Sequence, residues 1–506
     1  MIDLLLAQCT HKLASDSLGM RVEGVQQLVE VADTHVGHTR QRVVDILCQY
    51  LRTERDYVDD APVEFAILAA FLAHLVDDRE GLWWKDSVQA CTYEQLWTDC
   101  FIDLRGAVIH QDVLWRDCHI SACDFRGAHF KAAFSLYYGC VRGEAHFEGA
   151  VFHGDTEFCG AQFRENADFS GAEFHGGTEF DDAEFEKRAA FHSSFFGGET
   201  DFSGTKFRGE SDFEEAKFKG EGTFFVAEFF KDVTFDNAVF TGFCGFGSVK
   251  FHAVASFRSA LFFRQIYFQD AIFFDDAFFE QVEGKGAGFW HVQFRYVSFA
   301  GATFHGVSSF YGATFAEGGY FLGATFGGDT WFNEARFEHD GGFFAGATWL
   351  GHVDFRGVCF SHWAGFEHTT FEKGACFENI RSGKWASFEG AIFRDRVAFD
   401  RSVFAGDSTF KNVVFHQGAS FIGGRFVGKA SFPGTRWENN VSFARARFEG
   451  DAAFSWAVFR KITFWRAHFG ALNMKKATGE CVSFEHASFG EDPYFQGARF
   501  HCEGLV

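Results

Sequence analysis

The segment GGRFVGKA at 423–430 spaces its glycines and lysine as a phosphate-binding loop does, and GKGAG at 284–288 is a second glycine-rich candidate. Such a loop cradles phosphate with backbone N–H groups, reaches it with Lys, and holds magnesium through a Ser or Thr. Here Ala430 occupies the magnesium position, while Phe421, Phe426 and Phe432 keep a regular spacing straight through the segment. GKGAG has no strand-and-helix context and reads as a loop. The chain also contains 22 His and 13 Cys, but His153, His175, His192, His305 and His416 are scattered without the paired spacing of a zinc site. No nucleophile with its base and no acid/base pair emerges. The sequence therefore assigns no catalytic residue, metal ligand or cofactor, and the chain reads as a non-enzyme.

What sets these spacings is phenylalanine, of which there are 74. Phe147, Phe158, Phe169, Phe180 and their successors to Phe279 recur at steps of eleven. A second series, from Phe152 and Phe163 to Phe273, interleaves with the first, so that consecutive Phe residues lie five and six apart in turn. A five-residue step rotates an α-helix by about 140° and flips a strand to its other face, so neither element alone keeps the rings together. The chain must turn a corner between rings. Two residues before most of these Phe stands a small or short side chain, such as Ala150, Ala161, Thr156 or Ala167. Residues two apart on an extended segment share a face, so each short side points a small residue and a Phe inward, and the Asp, Glu, Lys, Arg, Gly and His between them face out.

This pattern resembles the pentapeptide-repeat family, as ADFSGAEFHGG at 167–177, VSFAGATFHGV at 297–307 and VAFDRSVFAGD at 397–407 illustrate. The resemblance implies an all-β solenoid, a right-handed quadrilateral parallel β-helix whose sides are five residues long. The extra residue on every second side raises the coil to about 22 residues, and strands spaced by about 4.8 Å then give about 18 coils. Residues 1–95 do not follow the repeat and are expected to form a small α-helical N-terminal module, with helices at Leu18–Val31, Arg42–Leu51 and, from Pro62 onward, Val63–Val76. The module resembles one found before the repeats in some bacterial members, and it could cover the open strand edge of the first coil. Residues 96–506 are the β-helix, with loops expected near 280–298, 344–365 and 470–483 where the Phe register slips. Cys118, Cys123 and Cys244 occupy small-residue positions and read as reduced core thiols of a cytoplasmic protein. No stretch reads as a membrane span.

Two surface features exceed what the repeat requires. Residues 144–236 carry 22 Asp and Glu against 8 Lys and Arg. Glu173, Glu179, Asp181, Asp182, Glu184, Asp201, Glu210, Asp212, Glu214 and Glu215 form the candidate acidic patch. Phe225, Phe230, Phe263 and Phe274 directly follow inward rings, and Tyr267, Phe278, Tyr320 and Trp331 directly precede them, so all eight should face outward as a candidate interaction surface. These features favour a non-enzymatic scaffold that binds a protein partner, or a second copy of itself, along its side. The alternative is an acidic mimic of DNA that modulates an enzyme such as DNA gyrase, a property that the family resemblance implies. Direct nucleic-acid binding is not expected, because the chain's net charge is −23.

Overall fold

Inward rings at a fixed step, small partners and short polar turns produce the architecture they require. A computed structural model, which describes residues 2–55, 57–76 and 95–501, is a parallel β-solenoid of about 18 coils preceded by four helices. The chain divides into two units, Met1–Gly245 with Lys250–Ala253, and Phe246–Val249 with Val254–Val506.

In the first unit the opening coil steps by 21, as Val108 beside His129 shows, and from Cys123 onward the coil length is 22, with Phe152 beside Phe174 and Phe163 beside Phe185 in neighbouring parallel strands. Strands of two residues alternate with turns, and the side chains stack in vertical files. Rings of Phe147, Phe169 and Phe191 stack at 4.5 and 5.0 Å, and those of Phe158, Phe180 and Phe202 at 4.7 and 4.8 Å. These two files meet edge to face, with Phe169 and Phe180 5.6 Å apart at 88°. The small inward residues are buried with the rings, and some that carry a hydroxyl bond it to the backbone: Ser194 Oγ donates to the Phe191 carbonyl at 2.6 Å and Thr205 Oγ1 to that of Phe180 at 2.8 Å.

One corner of each half-coil takes a left-handed residue, two positions after a large inward apolar residue. Gly149, Gly160 and Gly171 occupy it in some coils, and Asp117, Tyr138, Asp182, Ser193, Glu215 and Val226 in others, the last at φ 53°. A β-branched residue is strained in that conformation, so the corner is imposed by the stack rather than chosen by the local sequence.

The helical module comprises α1 (Ile2–Leu13), α2 (Leu18–Thr34), α3 (His38–Arg52) and α4 (Tyr57–Leu75). The helix α1 was not among those expected, and Pro62 lies inside α4 rather than at its start. Asp59 and Asp60 in the first turn of α4 suit the positive end of its dipole, so the helix begins a full turn before the proline. The expected module boundary near residue 95 adjoins residues 77–94, which lie outside the described residues.

The module occupies the first strand edge with side chains. Gln41 Nε2 donates to the carbonyl of Phe101 at 2.9 Å, and the Phe101 N–H donates to Gln41 Oε1 at 2.8 Å, so one amide replaces a missing strand. Glu64, 1% exposed, accepts the N–H groups of His110 and Gln111 at 2.7 and 2.8 Å and pairs with Arg55 at 3.2 Å. An exposed parallel edge is a template for aggregation, and this module closes it.

In the second unit the expected loops are absent. Residues 280–298 form strands at Glu283–Gly284, Ala287–Gly288 and Gln293–Ser298. Gly284 pairs with Phe304, 20 positions on, so each six-residue side has simply lost its extra residue and the coil is built of plain fives. Near 344–365 the opposite happens: Thr325 pairs with Thr348, 23 positions on, and the insertion is absorbed before Gly342, where Gly341 adopts φ 104°. Residues 470–483 belong to strands His468–Asn473 and Thr478–Ser483, and Val458 pairs with Thr478, again 20 positions on. A residue gained or lost in a turn shifts sequence register but leaves the stack unbroken.

Glu64→Ala should strip two N–H groups of their buried acceptor and the Arg55 guanidinium of one of its two carboxylate partners, and destabilise the first coil by about 3 kcal/mol. Amide exchange at His110 and Gln111 should accelerate selectively; unchanged protection there would reject the capping role.

Candidate functional site: outward aromatics and acidic turns

The 22-residue coil decides which outward residues meet. Positions 22 apart are vertical neighbours, whereas positions five or six apart lie on different sides. The ten candidate acids are therefore distributed round the coil. Glu179 and Asp201 lie on one side of the coil, Glu173, Glu184 and Asp212 on the three others, and Asp181, Asp182, Glu214 and Glu215 at the corners between. Glu210 occupies the turn just before Ser211–Asp212. They do not form one patch, and two are compensated: Arg208 Nη2 reaches Glu184 at 2.5 Å and Arg188 Nη2 reaches Asp212 at 3.0 Å.

Glu179 and Asp201 enter no ion pair among the described residues, whereas Glu157, in register with Glu179, pairs with Arg116 at 3.2 Å. Glu179 and Asp201 are direct neighbours in adjacent strands, a repulsive placement. Together with Glu199 and Glu221, and with Thr178, Thr200 and Thr223, they line a shallow cleft of about 370 Å³. The reading of the sequence missed Glu199 and Glu221, although their separation of 22 marks them as vertical neighbours.

The same geometry makes two triangles of donor atoms that could hold a metal ion. Cys159 Sγ with carboxylates of Glu179 and Asp181, and the His192 ring with those of Asp212 and Glu214, each lie within 4.8 Å of one another. Both have one construction: the residue after an inward Phe meets the two residues flanking the stacked Phe of the next coil. Sequence spacing concealed them because their members are 20 to 22 positions apart. The donors already serve the protein, however. Cys159 Sγ donates to Glu179 Oε2 at 3.2 Å, and Asp212 holds Arg188. Burial pushes the Cys159 thiol well up, and the facing carboxylates of Asp181 and Glu179 push it further.

All eight candidate aromatics avoid the core, yet they are not one surface. Phe225, 53% exposed, and Phe230 belong to the first unit. Phe230 is half-buried, stacked on His252 at 4.8 Å with the Arg208 guanidinium 5.3 Å from its ring. In the second unit Tyr267 and Trp331 lie on one side of the coil and Phe278 and Tyr320 on another, while Phe263 and Phe274 follow inward rings on the two remaining sides. Phe278 sits 3.9 Å beneath the Arg258 guanidinium and joins an outer file: Tyr296 and Tyr320 are 5.0 Å apart, Tyr320 and Phe343 4.7 Å. Tyr267 packs edge-on against Trp290 at 5.3 Å. Phe263, Phe274 and Trp331 stay 60, 50 and 39% exposed.

Trp331 also closes one end of a groove of about 640 Å³. Its floor runs along successive strands through Asp354, Cys376, Ala398 and Ser420, direct neighbours in register, and its rim carries Arg356 and Arg396. Three of these four floor residues are small and uncharged.

GGRFVGKA contributes a corner at Gly423 and strands Arg425–Phe426 and Ala430–Ser431, with no helix to present backbone N–H groups to a phosphate. Its glycines serve the turn. A family model for pentapeptide repeats matches nine copies, at residues 141–184, 289–336 and 432–478. The chain belongs to the pentapeptide-repeat family. None of the curated proteins compared with this pentapeptide-repeat chain matches its sequence. No helix among its described residues is long and apolar enough to cross a membrane.

Carboxylates beside a thiol disfavour the thiolate, so neutralising them must lower the thiol's pKa while burial still holds it high. The double change Glu179→Gln with Asp181→Asn should move alkylation of Cys159, followed by mass spectrometry across a pH series, to lower pH. An unmoved profile would mean that the carboxylates do not face the thiol.

Proposed function

We propose that this pentapeptide-repeat chain is a non-enzymatic cytoplasmic scaffold that binds a protein partner, or a second copy of itself, along its stacked strands. The observation that carries this reading is the groove headed by Trp331. An extended segment can follow the small floor residues from coil to coil, with the indole as an aromatic anchor of the kind that dominates interface energies. The exposed rings of Phe263 and Phe274 supply further apolar contact on their own stacks. The interior supports a binding rather than catalytic role, because among the described residues tightly stacked Phe files fill it.

Trp331→Ser combined with Ala398→Arg should abolish capture of the partner from the source cell, or self-association in sedimentation, while leaving the β-sheet circular dichroism intact. Normal association of that variant would remove the groove from consideration.

The uncompensated acids support a second reading, in which Glu179, Glu199, Asp201 and Glu221 imitate the phosphates of DNA toward a DNA-binding enzyme such as gyrase. Inhibition or protection in a supercoiling assay should then weaken with salt and disappear on changing these four to Gln and Asn. No effect of the unmodified protein at micromolar concentration would dismiss it.

A further inference from the structure

Four outward positions surround each pair of stacked rings, two flanking the Phe of one coil and two flanking the Phe of the next. Around Phe191 and Phe213, whose rings stack at 4.8 Å, these positions hold Ala190, His192, Asp212 and Glu214. Three of the four are metal-ligand types. A ring nitrogen of His192 and one carboxylate oxygen each from Asp212 and Glu214 lie within 4.8 Å of one another, and all three residues are half-buried. A tetrahedral zinc ion with bonds of about 2.1 Å needs its ligand atoms about 3.4 Å apart, so rotation about side-chain bonds is enough to close the triangle. The fourth corner, Ala190, stands in register with Asp212 and carries only a methyl group, which leaves the remaining coordination positions to water.

The backbone holds the ligand carriers in place. The Phe191 N–H donates to the Asp212 carbonyl at 2.6 Å, and the Ser193 N–H to the Glu214 carbonyl at 2.8 Å. His192 is therefore fixed between two hydrogen bonds to the coil that supplies both carboxylates. Asp212 is oriented as well: its Oδ1 accepts the Glu214 N–H at 3.1 Å, and its Oδ2 accepts a bond from the Arg188 guanidinium at 3.0 Å. Each carboxylate oxygen keeps a second lone pair, and carboxylates that ligate metals are themselves hydrogen-bonded, so these contacts aim Asp212 without using it up. The His192 ring and the Glu214 carboxylate enter no hydrogen bond or ion pair among the described residues.

Two related clusters lack this combination. Around Phe147 and Phe169 the same corners carry His146, Glu148 and Asp168, but His146 Nδ1 pairs with Glu148 at 3.2 Å and the three do not converge. In the triangle at Cys159 the thiol donates its proton to Glu179, and burial with the facing carboxylates holds that proton on sulfur, so a metal ion must first displace it. Of the three, the His192 set alone brings together convergence and ligands that are free.

We infer that His192, Asp212 and Glu214 form a site for a zinc ion that ties two neighbouring coils together. An imidazole with two carboxylates suits Zn²⁺ better than Ca²⁺ or Mg²⁺, which take oxygen ligands. The site does not depend on the Trp331 groove or on its partner.

The test titrates Zn²⁺ alone into the full chain after chelation, with calorimetry for affinity and amide exchange read by mass spectrometry for location. Binding should slow exchange in residues 190–193 and 211–215. His192→Ala and Glu214→Gln, both at outward positions, should each weaken the ion at least about tenfold and remove that local protection, whereas Cys159→Ser should change neither. Other histidines of the chain can also take up zinc, and the located protection separates them from this site. If His192→Ala fails to fold, the isosteric Glu214→Gln decides. Protection that survives Glu214→Gln, protection lost in Cys159→Ser, or none at up to about 1 mM Zn²⁺ would overturn the site. Displacement of Zn²⁺ by an equal concentration of Ca²⁺ would overturn the role of the imidazole.

Discussion

Strand separation and ring thickness coincide in this protein, and the rest of the structure depends on that match. Parallel strands hydrogen-bonded coil to coil lie about 4.8 Å apart, and a flat ring repeated at that interval touches its neighbours on both faces. Phe152 and Phe174 stack at 4.9 Å and 2°, and Phe174 and Phe196 at 5.1 Å and 4°. Parallel stacking is not the arrangement that isolated aromatic pairs favour most, but here neighbouring files compensate by meeting edge to face. Backbone hydrogen bonds fix the vertical spacing, and the rings fill the interior at that spacing. Each constraint enforces the other.

Because the match concerns the vertical direction only, the length of a side is nearly free. Coils of 20, 22 and 23 residues coexist in the second unit, shown by the pairs Gly284 with Phe304, Cys359 with Arg381, and Thr325 with Thr348. Added residues enlarge a turn and lost residues flatten it. Surface relief is thus written in turn length while the interior stays regular. The cap follows a different logic. A stack has ends, and its first strand cannot find its hydrogen bonds in another coil, so Gln41 and Glu64 supply them from helices.

The interior was legible in the sequence because one residue type at one step admits a single packing. Phe147 through Phe279 and the small residues two positions earlier could be placed inward without coordinates. The surface was less legible for a geometric reason. Its neighbours lie 20 to 24 positions apart, so Glu184 with Arg208 or Cys159 with Asp181 are remote in sequence and touching in space. The acidic run looked continuous because adjacent letters were read as adjacent charges, although five or six residues carry the chain to another side. The slips near 280–298 looked like loops because a deletion from a turn disturbs the count of residues as strongly as a protrusion does. The helix α1 left little trace, since only Leu6, Cys9 and Leu13 of its twelve residues are buried.

A vacancy such as that at Gly284, which stands in register between Phe262 and Phe304, would be hard to sustain in an ordinary globular core. Deleting a buried Phe side chain typically costs about 3 to 5 kcal/mol, a large share of a single domain's stability. In a stack of near-identical coils, each coil contacts its two neighbours and the loss stays local, so a missing ring weakens one rung without unfolding the others. A repeat of this kind can therefore tolerate a missing ring or a shortened turn without losing its stack. Its regularity, which makes most positions structural, is what allows the exceptional ones to be shaped for binding.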